Sequence, residues 1–173
     1  MKATTTRTSI AALIAAAGLL AGGLVWSGLV WSGQDRSTPH APAAATALPL
    51  LTVHKSPSCG CCVKWIEHMR EAGFPVEVHD TDDMLPVKQD AGVPYGKGSC
   101  HTGQVGGYFV EGHVPAADVK RLLAEKPQAR GLTVPGMPAG SPGMEMPDGR
   151  VQPYAVELVA DDGSTSVFAR HGE

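Results

Sequence analysis

Three of the chain's four cysteines lie within four positions, in the sequence Cys59-Gly60-Cys61-Cys62. The cluster follows a short apolar run and precedes an amphipathic one, an order that predicts a turn between a strand and a helix. Cysteines at the first turn of a helix face unpaired backbone N–H groups and the positive end of the helix dipole, which favours the thiolate. Because thiolates bind soft metal ions and attack disulfides, the cluster predicts a metal or redox site.

The rest of the sequence contains further donors for a soft metal ion. The fourth cysteine, Cys100, is followed by His101, and His113 precedes a predicted helix. Met137 and Met144 lie in a late segment of the chain. Thiolate, thioether and imidazole together are the ligands that suit Cu(I), although a methionine more often fills a gap in a core. The residue types alone therefore make the histidines and methionines candidates.

The first 47 residues differ in composition from the rest. Lys2 and Arg7 precede an uncharged apolar run over residues 10–31. This run exceeds the roughly 7–15 residues of a signal-peptide core and is long enough to cross a bilayer. Residues 1–33 are predicted to be a signal peptide or an N-terminal membrane anchor, residues 34–47 a Pro/Ala-rich linker, and residues 48–173 the thioredoxin-like domain that carries the candidate copper ligands. Both alternatives export the domain, so we expect it to be periplasmic or extracytoplasmic and to contact the membrane only through its N-terminal segment.

Charge and motif content exclude several classes of function. The chain carries a formal net charge of −3, and no basic patch or run of aromatic residues predicts a nucleic-acid partner. No Ser-His-Asp set, phosphate-binding loop or pair of catalytic carboxylates stands out. The cysteine turn is thus the main functional signal.

The residues after position 47 predict an α/β fold. Strands are expected at residues 50–54 and 74–79, helices at 61–72, 84–91 and 114–124, and a hairpin over residues 100–111. The order strand, helix, strand, helix, hairpin, helix resembles the thioredoxin-like arrangement, in which reactive thiols occupy the equivalent turn. Six prolines and glycines within residues 134–143 predict that residues 131–147 form an ordered loop, and residues 154–170 a closing hairpin.

Four chemistries compete at the cysteine turn. Cys59 and Cys62 have the Cys-x-x-Cys spacing of a thiol–disulfide oxidoreductase, although Cys61 would capture its mixed disulfide. A single structural zinc would require Cys61 and Cys62, about 100° apart around a helix, to face one centre. Bridging Cu(I) ions need fewer ligands each, and nearby methionines suit copper better than zinc. Two disulfides in an interaction module without metal are the default in an oxidising compartment.

Four blocks of the sequence, in this order, resemble the signature blocks of the CopG family, the domain-of-unknown-function 411 group of exported metal-binding proteins associated with copper resistance. They are LTVHKSPSCGCC at residues 51–62, GSCHT at 98–102, GYFVEGHVP at 107–115 and GLTVPGMPAGSPGME at 131–145. The resemblance runs from about residue 50 to the C-terminus.

The resemblance implies a thioredoxin-like core and a polynuclear Cu(I) site on Cys59, Cys61 and Cys62, completed by Cys100. It also favours His101, His113, Met137 and Met144 as further ligands, because all four fall within the signature blocks. The expected partners are copper ions and other exported copper-handling proteins. The resemblance leaves open whether the protein stores copper, hands it over or changes its oxidation state.

Overall fold

The computed structural model describes residues 47–173. The predicted signal peptide or anchor at residues 1–33, and the linker up to residue 46, lie outside the described residues. Among the helices of residues 47–173, none has the length and apolar content that a membrane crossing requires.

The described residues form seven strands and three helices, which confirms the predicted α/β class; the narrower thioredoxin-like description stays a prediction. The elements in chain order are β1 (Leu51–Lys55), α1 (Gly60–Glu71), β2 (Val76–Asp80), α2 (Met84–Ala91), β3 (His101–Val105), β4 (Tyr108–Glu111), α3 (Ala116–Glu125), β5 (Gly131–Thr133), β6 (Tyr154–Val159) and β7 (Thr165–His171). The strands form one sheet in the order β2-β1-β3-β4-β5-β6-β7. The β1–β2 and β4–β5 pairs are parallel, and the other pairs are antiparallel.

One sequence-based expectation about the sheet is wrong. Residues 131–147 were expected to be loop throughout, but Gly131–Thr133 form β5. The strand pairing requires a glycine at the start of β5, since a Cβ at Gly131 would lie 2.1 Å from the carbonyl oxygen of Phe109 on β4. Through β5, the predicted closing hairpin β6–β7 joins the same sheet as the cysteine site.

The inner face of α1 anchors the cysteine turn to the core. Cys62, Trp65, Ile66 and Met69 are its buried residues, at the spacing that places them on one side of a helix. Trp65 is fully buried and its indole N–H donates to the carbonyl oxygen of Val114 at 2.9 Å. This packing holds the N-terminus of α1, and with it the cysteines, against the sheet.

We expect Gly131→Ala to lower the free energy of unfolding by about 3 kcal/mol, because the new Cβ can be accommodated only by shifting β4 from β5. Gly60→Ala is the matched control, since no heavy atom lies within 4 Å of a Cβ at the first position of α1. Urea unfolding of the metal-free protein measures both variants. Equal urea midpoints for the Gly131→Ala and Gly60→Ala variants would show that β4 and β5 can accommodate a Cβ at position 131.

Candidate metal centre

The four cysteines converge at the N-terminus of α1. Cys59 is the N-cap residue of α1, Cys61 and Cys62 lie in its first turn, and Cys100 directly precedes β3. Their four sulfur atoms all lie within 4.8 Å of one another. Although Cys61 and Cys62 are about 100° apart around the helix, their sulfur atoms are therefore close together.

The pairing of β3 with β1 brings the fourth cysteine to the turn. His101 lies opposite Lys55, the last residue of β1, in the antiparallel register. The chain continues from Lys55 into the turn that carries Cys59, while Cys100 immediately precedes His101. Two segments about 40 residues apart in sequence thus meet at one end of the sheet.

The cysteines differ in oxidation state. Cys59 and Cys62 are joined by a disulfide, whereas Cys61 and Cys100 are free thiols. The Cys61 sulfur lies 3.5 Å from that of Cys59 and 3.8 Å from that of Cys100. The alternative of two disulfides is not found, because Cys61 and Cys100 are both free. The single disulfide has the Cys-x-x-Cys pairing of the oxidoreductase alternative, and it represents the oxidised form of two predicted metal ligands.

Two histidines lie beside the Cys100 sulfur. His113 Nε2 is 3.1 Å from it, and His113 Nδ1 lies 2.8 Å from the Pro142 carbonyl oxygen. A carbonyl only accepts, so Nδ1 carries the proton and Nε2 presents its lone pair to the sulfur, an arrangement common among metal-binding histidines. His101 Nδ1 is 3.4 Å from the same sulfur, and its ring packs on Trp65 with a centroid separation of 4.3 Å. Within residues 47–173, the buried Nε2 of His101 has no hydrogen-bond partner.

The segment that carries the predicted methionines is ordered and packs on α1. A Cβ at Gly143, where φ is +87°, would lie 2.7 Å from the Cys61 carbonyl oxygen and 2.8 Å from the Trp65 nitrogen. Glu145 Oε1 is 2.6 Å from His68 Nε2 on the same helix. Met144, partly buried, lies between these two anchors, whereas Met137 is 54% exposed. The structure thus places Met144 in a segment held against α1 and leaves the Met137 side chain largely at the surface.

Burial sets the charge state of the site. It raises the pKa of the Cys100 thiol to about 11, with a further contribution from the nearby Cys61. Burial also lowers the pKa of His101 to about 3, assisted by His113 and Lys88, and it lowers the pKa of His113. At neutral pH both imidazoles are therefore in the form that binds metal, while Cys100 must first lose its proton. Cys100 lies outside α1, so the helix N-terminus that favours thiolates at the cysteine turn does not lower its pKa.

Sequence reasoning missed one charged residue next to the site. Glu111, at the end of β4, is fully buried and accepts a hydrogen bond from the backbone N–H of Ser99. Glu111 follows the apolar residues Tyr108, Phe109 and Val110 of β4, which was a sequence signal that it is buried. Its hydrogen-bond partners, however, are set by the tertiary structure.

Comparison with known proteins places this site in a family. A family model described as "Protein of unknown function, DUF411" matches residues 97–144. Form 1 of the copper resistance protein CopG is 48% identical to the chain, with a TM-score of 0.68; the match covers 73% of this chain and 99% of that one. The chain belongs to the CopG-like DUF411 family. Form 2 of the same protein matches with equal identity and TM-score over 72% of this chain and 98% of that one.

The predicted family is thereby confirmed. The region matched by the DUF411 model contains Cys100, His101, His113 and both candidate methionines, while the cysteine turn precedes it. No match was found among the curated proteins. Among residues 47–173 of this CopG-like chain, two overlapping groups have donor atoms close enough to hold a metal ion: the four cysteines, and Cys100 with His101 and His113.

We expect metal binding to release a proton from Cys100. Because burial raises the pKa of this thiol from 9.0 to about 11, it is protonated at pH 7, so the affinity of the reduced protein for Cu(I) should rise with pH. Cys100→Ser should reduce the number of protons released per loaded chain by one. A Cu(I) titration in weakly buffered solution with a pH indicator measures this number. An unchanged count would show that Cys100 does not bind the ion as a thiolate.

Proposed function

We propose that this domain binds several Cu(I) ions through Cys59, Cys61, Cys62 and Cys100 and acts in copper resistance. The observation that carries the proposal is the convergence of four sulfurs within 4.8 Å of one another. The neutral His113 ring beside Cys100 adds a second type of donor that suits copper. The 48% identity to a copper resistance protein, over 73% of this chain, supports copper as the metal.

The spacing of the sulfurs favours a cluster over a single ion. Cys61 lies between Cys59 and Cys100, at 3.5 and 3.8 Å, so its thiolate is placed to bridge ions bound by its two neighbours. Cu(I) accepts few ligands, and shared thiolates allow four cysteines to hold more than one ion. We propose that His101, His113, Met137 and Met144 complete or cover the cluster. Met137 must turn inward to do so, because its side chain is largely exposed.

Loading the site requires reduction of the Cys59–Cys62 disulfide, since a disulfide sulfur is not a thiolate ligand. Two electrons convert the disulfide into two thiolates. A dithiol reductant supplies both electrons when it is itself oxidised to a disulfide. Alternatively, two Cu(I) ions each give one electron and become Cu(II), which joins copper binding to a change of oxidation state. The disulfide thus supports redox cycling as a role alongside sequestration and handover.

The N-terminal sequence supports a proposal for the cellular location of the domain. The apolar run over residues 10–31 supports export of the domain, either released after cleavage or tethered. We propose a periplasmic or extracytoplasmic location, where other exported copper-handling proteins exchange ions with the site. The similarity to a copper resistance protein is consistent with this location.

Anaerobic titration of the fully reduced protein with Cu(I) should load more than one ion per chain. Cys61→Ser should lower the number of ions, because it removes the thiolate placed to bridge. Ser58→Ala, an exposed neighbour of the same turn, is the matched control and should leave the number unchanged. Metal analysis after desalting measures the stoichiometry, and a maximum of one ion per chain would exclude a cluster.

The disulfide favours one second candidate, a thiol–disulfide oxidoreductase that uses Cys59 and Cys62. In this role Cys61 is a hindrance, because its sulfur is 3.5 Å from Cys59 and competes with any substrate thiol. We therefore expect negligible turnover in an insulin-reduction assay. Turnover comparable to that of a dithiol reductase, abolished by Cys62→Ser and independent of copper, would favour the enzyme instead.

A further inference from the structure

The carboxylate of Glu111 lies in a fully buried position and accepts three hydrogen bonds. Its Oε1 atom lies 2.5 Å from Lys88 Nζ and 2.5 Å from the backbone nitrogen of Ser99. Its Oε2 atom lies 2.7 Å from the Thr102 hydroxyl oxygen. A buried carboxylate is costly unless its charge is paired and its oxygens are satisfied, and here both conditions are met.

The three donors come from segments that surround Cys100. Lys88 belongs to α2, Ser99 directly precedes the cysteine, and Thr102 follows it by two residues on β3. Lys88 also donates to the Thr102 hydroxyl at 3.1 Å. Glu111 therefore ties the chain on both sides of Cys100 to α2 and β4.

We propose that Glu111, held by Lys88, is a positioning residue that sets where the Cys100 thiol lies relative to the cysteine turn. Cys100 directly precedes β3, so its backbone is not held by the hydrogen bonds between the strands. Its position therefore depends on the loop before the strand. The contacts that define the site, 3.8 Å from the Cys100 sulfur to Cys61 and 3.1 Å to His113, depend on that loop. The role in metal binding rests on the proposed function, whereas the role in geometry does not.

The chemistry of the contacts favours a carboxylate. All three partners are donors, and an ionised carboxylate is the side chain that offers only acceptors. Glutamine would keep the shape but would remove the charge that pairs with Lys88. Its amide N–H₂ group at the Oε2 position could bind Thr102 only if the direction of that hydrogen bond were reversed. Aspartate is one methylene shorter and cannot reach the same set of donors.

The same loop also supports the methionine segment. The Ser99 hydroxyl donates to the carbonyl oxygen of Gly136, directly before Met137. A Cβ at Gly112 would lie 2.6 Å from the Ser99 Cβ, so the residue after Glu111 packs tightly on the loop from the other side. Movement of Ser99 would therefore disturb both Cys100 and the start of the methionine segment.

A copper-free measurement tests the geometric role. In the full chain carrying Cys59→Ser and Cys62→Ser, the two remaining thiols form a disulfide when treated with diamide, at a rate that reports how often their sulfurs meet. We expect Glu111→Gln to slow this reaction about tenfold, because the Cys100 loop loses its anchor. An unchanged rate in a folded Glu111→Gln variant would overturn the proposal.

Asp118→Asn is the matched control for loss of a buried carboxylate. Asp118 is 7% exposed and lies 2.7 Å from His171 Nε2 on β7, and its side chain makes no hydrogen bond to residues 97–102. This variant should cross-link at the rate of the parent. Slowing equal to that of Glu111→Gln would overturn the proposal, because general loss of stability would then explain both.

Copper affinity tests whether Glu111 acts through Cys100. Glu111→Gln should weaken Cu(I) binding by about tenfold to hundredfold in the otherwise native chain and should have no further effect in Cys100→Ser. Equal losses in both backgrounds would overturn the proposal, since Glu111 would then act on the site without Cys100. If the native chain binds no Cu(I), the proposed function fails, and the cross-linking rate still decides the positioning role.

Thr102→Val provides a milder variant should Glu111→Gln fail to fold by circular dichroism. It keeps the shape of the side chain and removes one of the three donors to Glu111. Cross-linking should slow about threefold, in line with the loss of one hydrogen bond. A rate equal to that of the parent would overturn the proposal.

Discussion

The antiparallel pairing of β3 with β1 is the constraint on which the site depends. It places His101 opposite Lys55, so that Cys100 lies beside the turn that carries the other three cysteines. Side chains alternate between the two faces of a sheet, so a slip of one residue would turn His101 to the opposite face and move Cys100 away from the cysteine turn. The buried face of β1, with Leu51 and Val53 against Trp65, opposes such a slip. The geometry of the candidate metal centre is therefore specified by the register of the core.

Burial then determines how the site behaves without metal. Cys62, His101 and His113 are buried, and Cys59, Cys61 and Cys100 are partly exposed. A neutral thiol at Cys100 and neutral imidazoles avoid buried charge, and the disulfide removes two more thiolates. Negative charge at Cys100 therefore requires compensation, such as a bound cation would supply. The Glu111 carboxylate, which is also buried, is paired with Lys88 Nζ at 2.5 Å.

Local sequence signals predicted most of the elements around the site. The apolar spacing in α1 predicted the helix that carries the cysteines, with Gly73 after its end in the left-handed conformation. The hairpin β3–β4 followed from alternation around two glycines. β5 was missed, because the prolines and glycines of residues 134–143 predicted a loop that began at residue 131. The pairing of β5 with β4, and the close approach of Phe109 that requires glycine at position 131, are revealed only by the folded chain. The anchoring role of Glu111 was missed for the same reason, since its three donors are 9 to 23 residues away in sequence.

The sequence by itself determined the family, the α/β class and the donor types at the site, because these depend on residue identity and on short-range periodicity. The oxidation state of each cysteine, the neighbours of His113 and the burial that shifts the pKa of Cys100 were decided by the tertiary structure. The physical reason is distance along the chain: a helix or a turn is encoded within a few residues, whereas a sulfur–sulfur contact between Cys61 and Cys100 spans 39. Such contacts form only when the strands have paired in the native register and the core has excluded water.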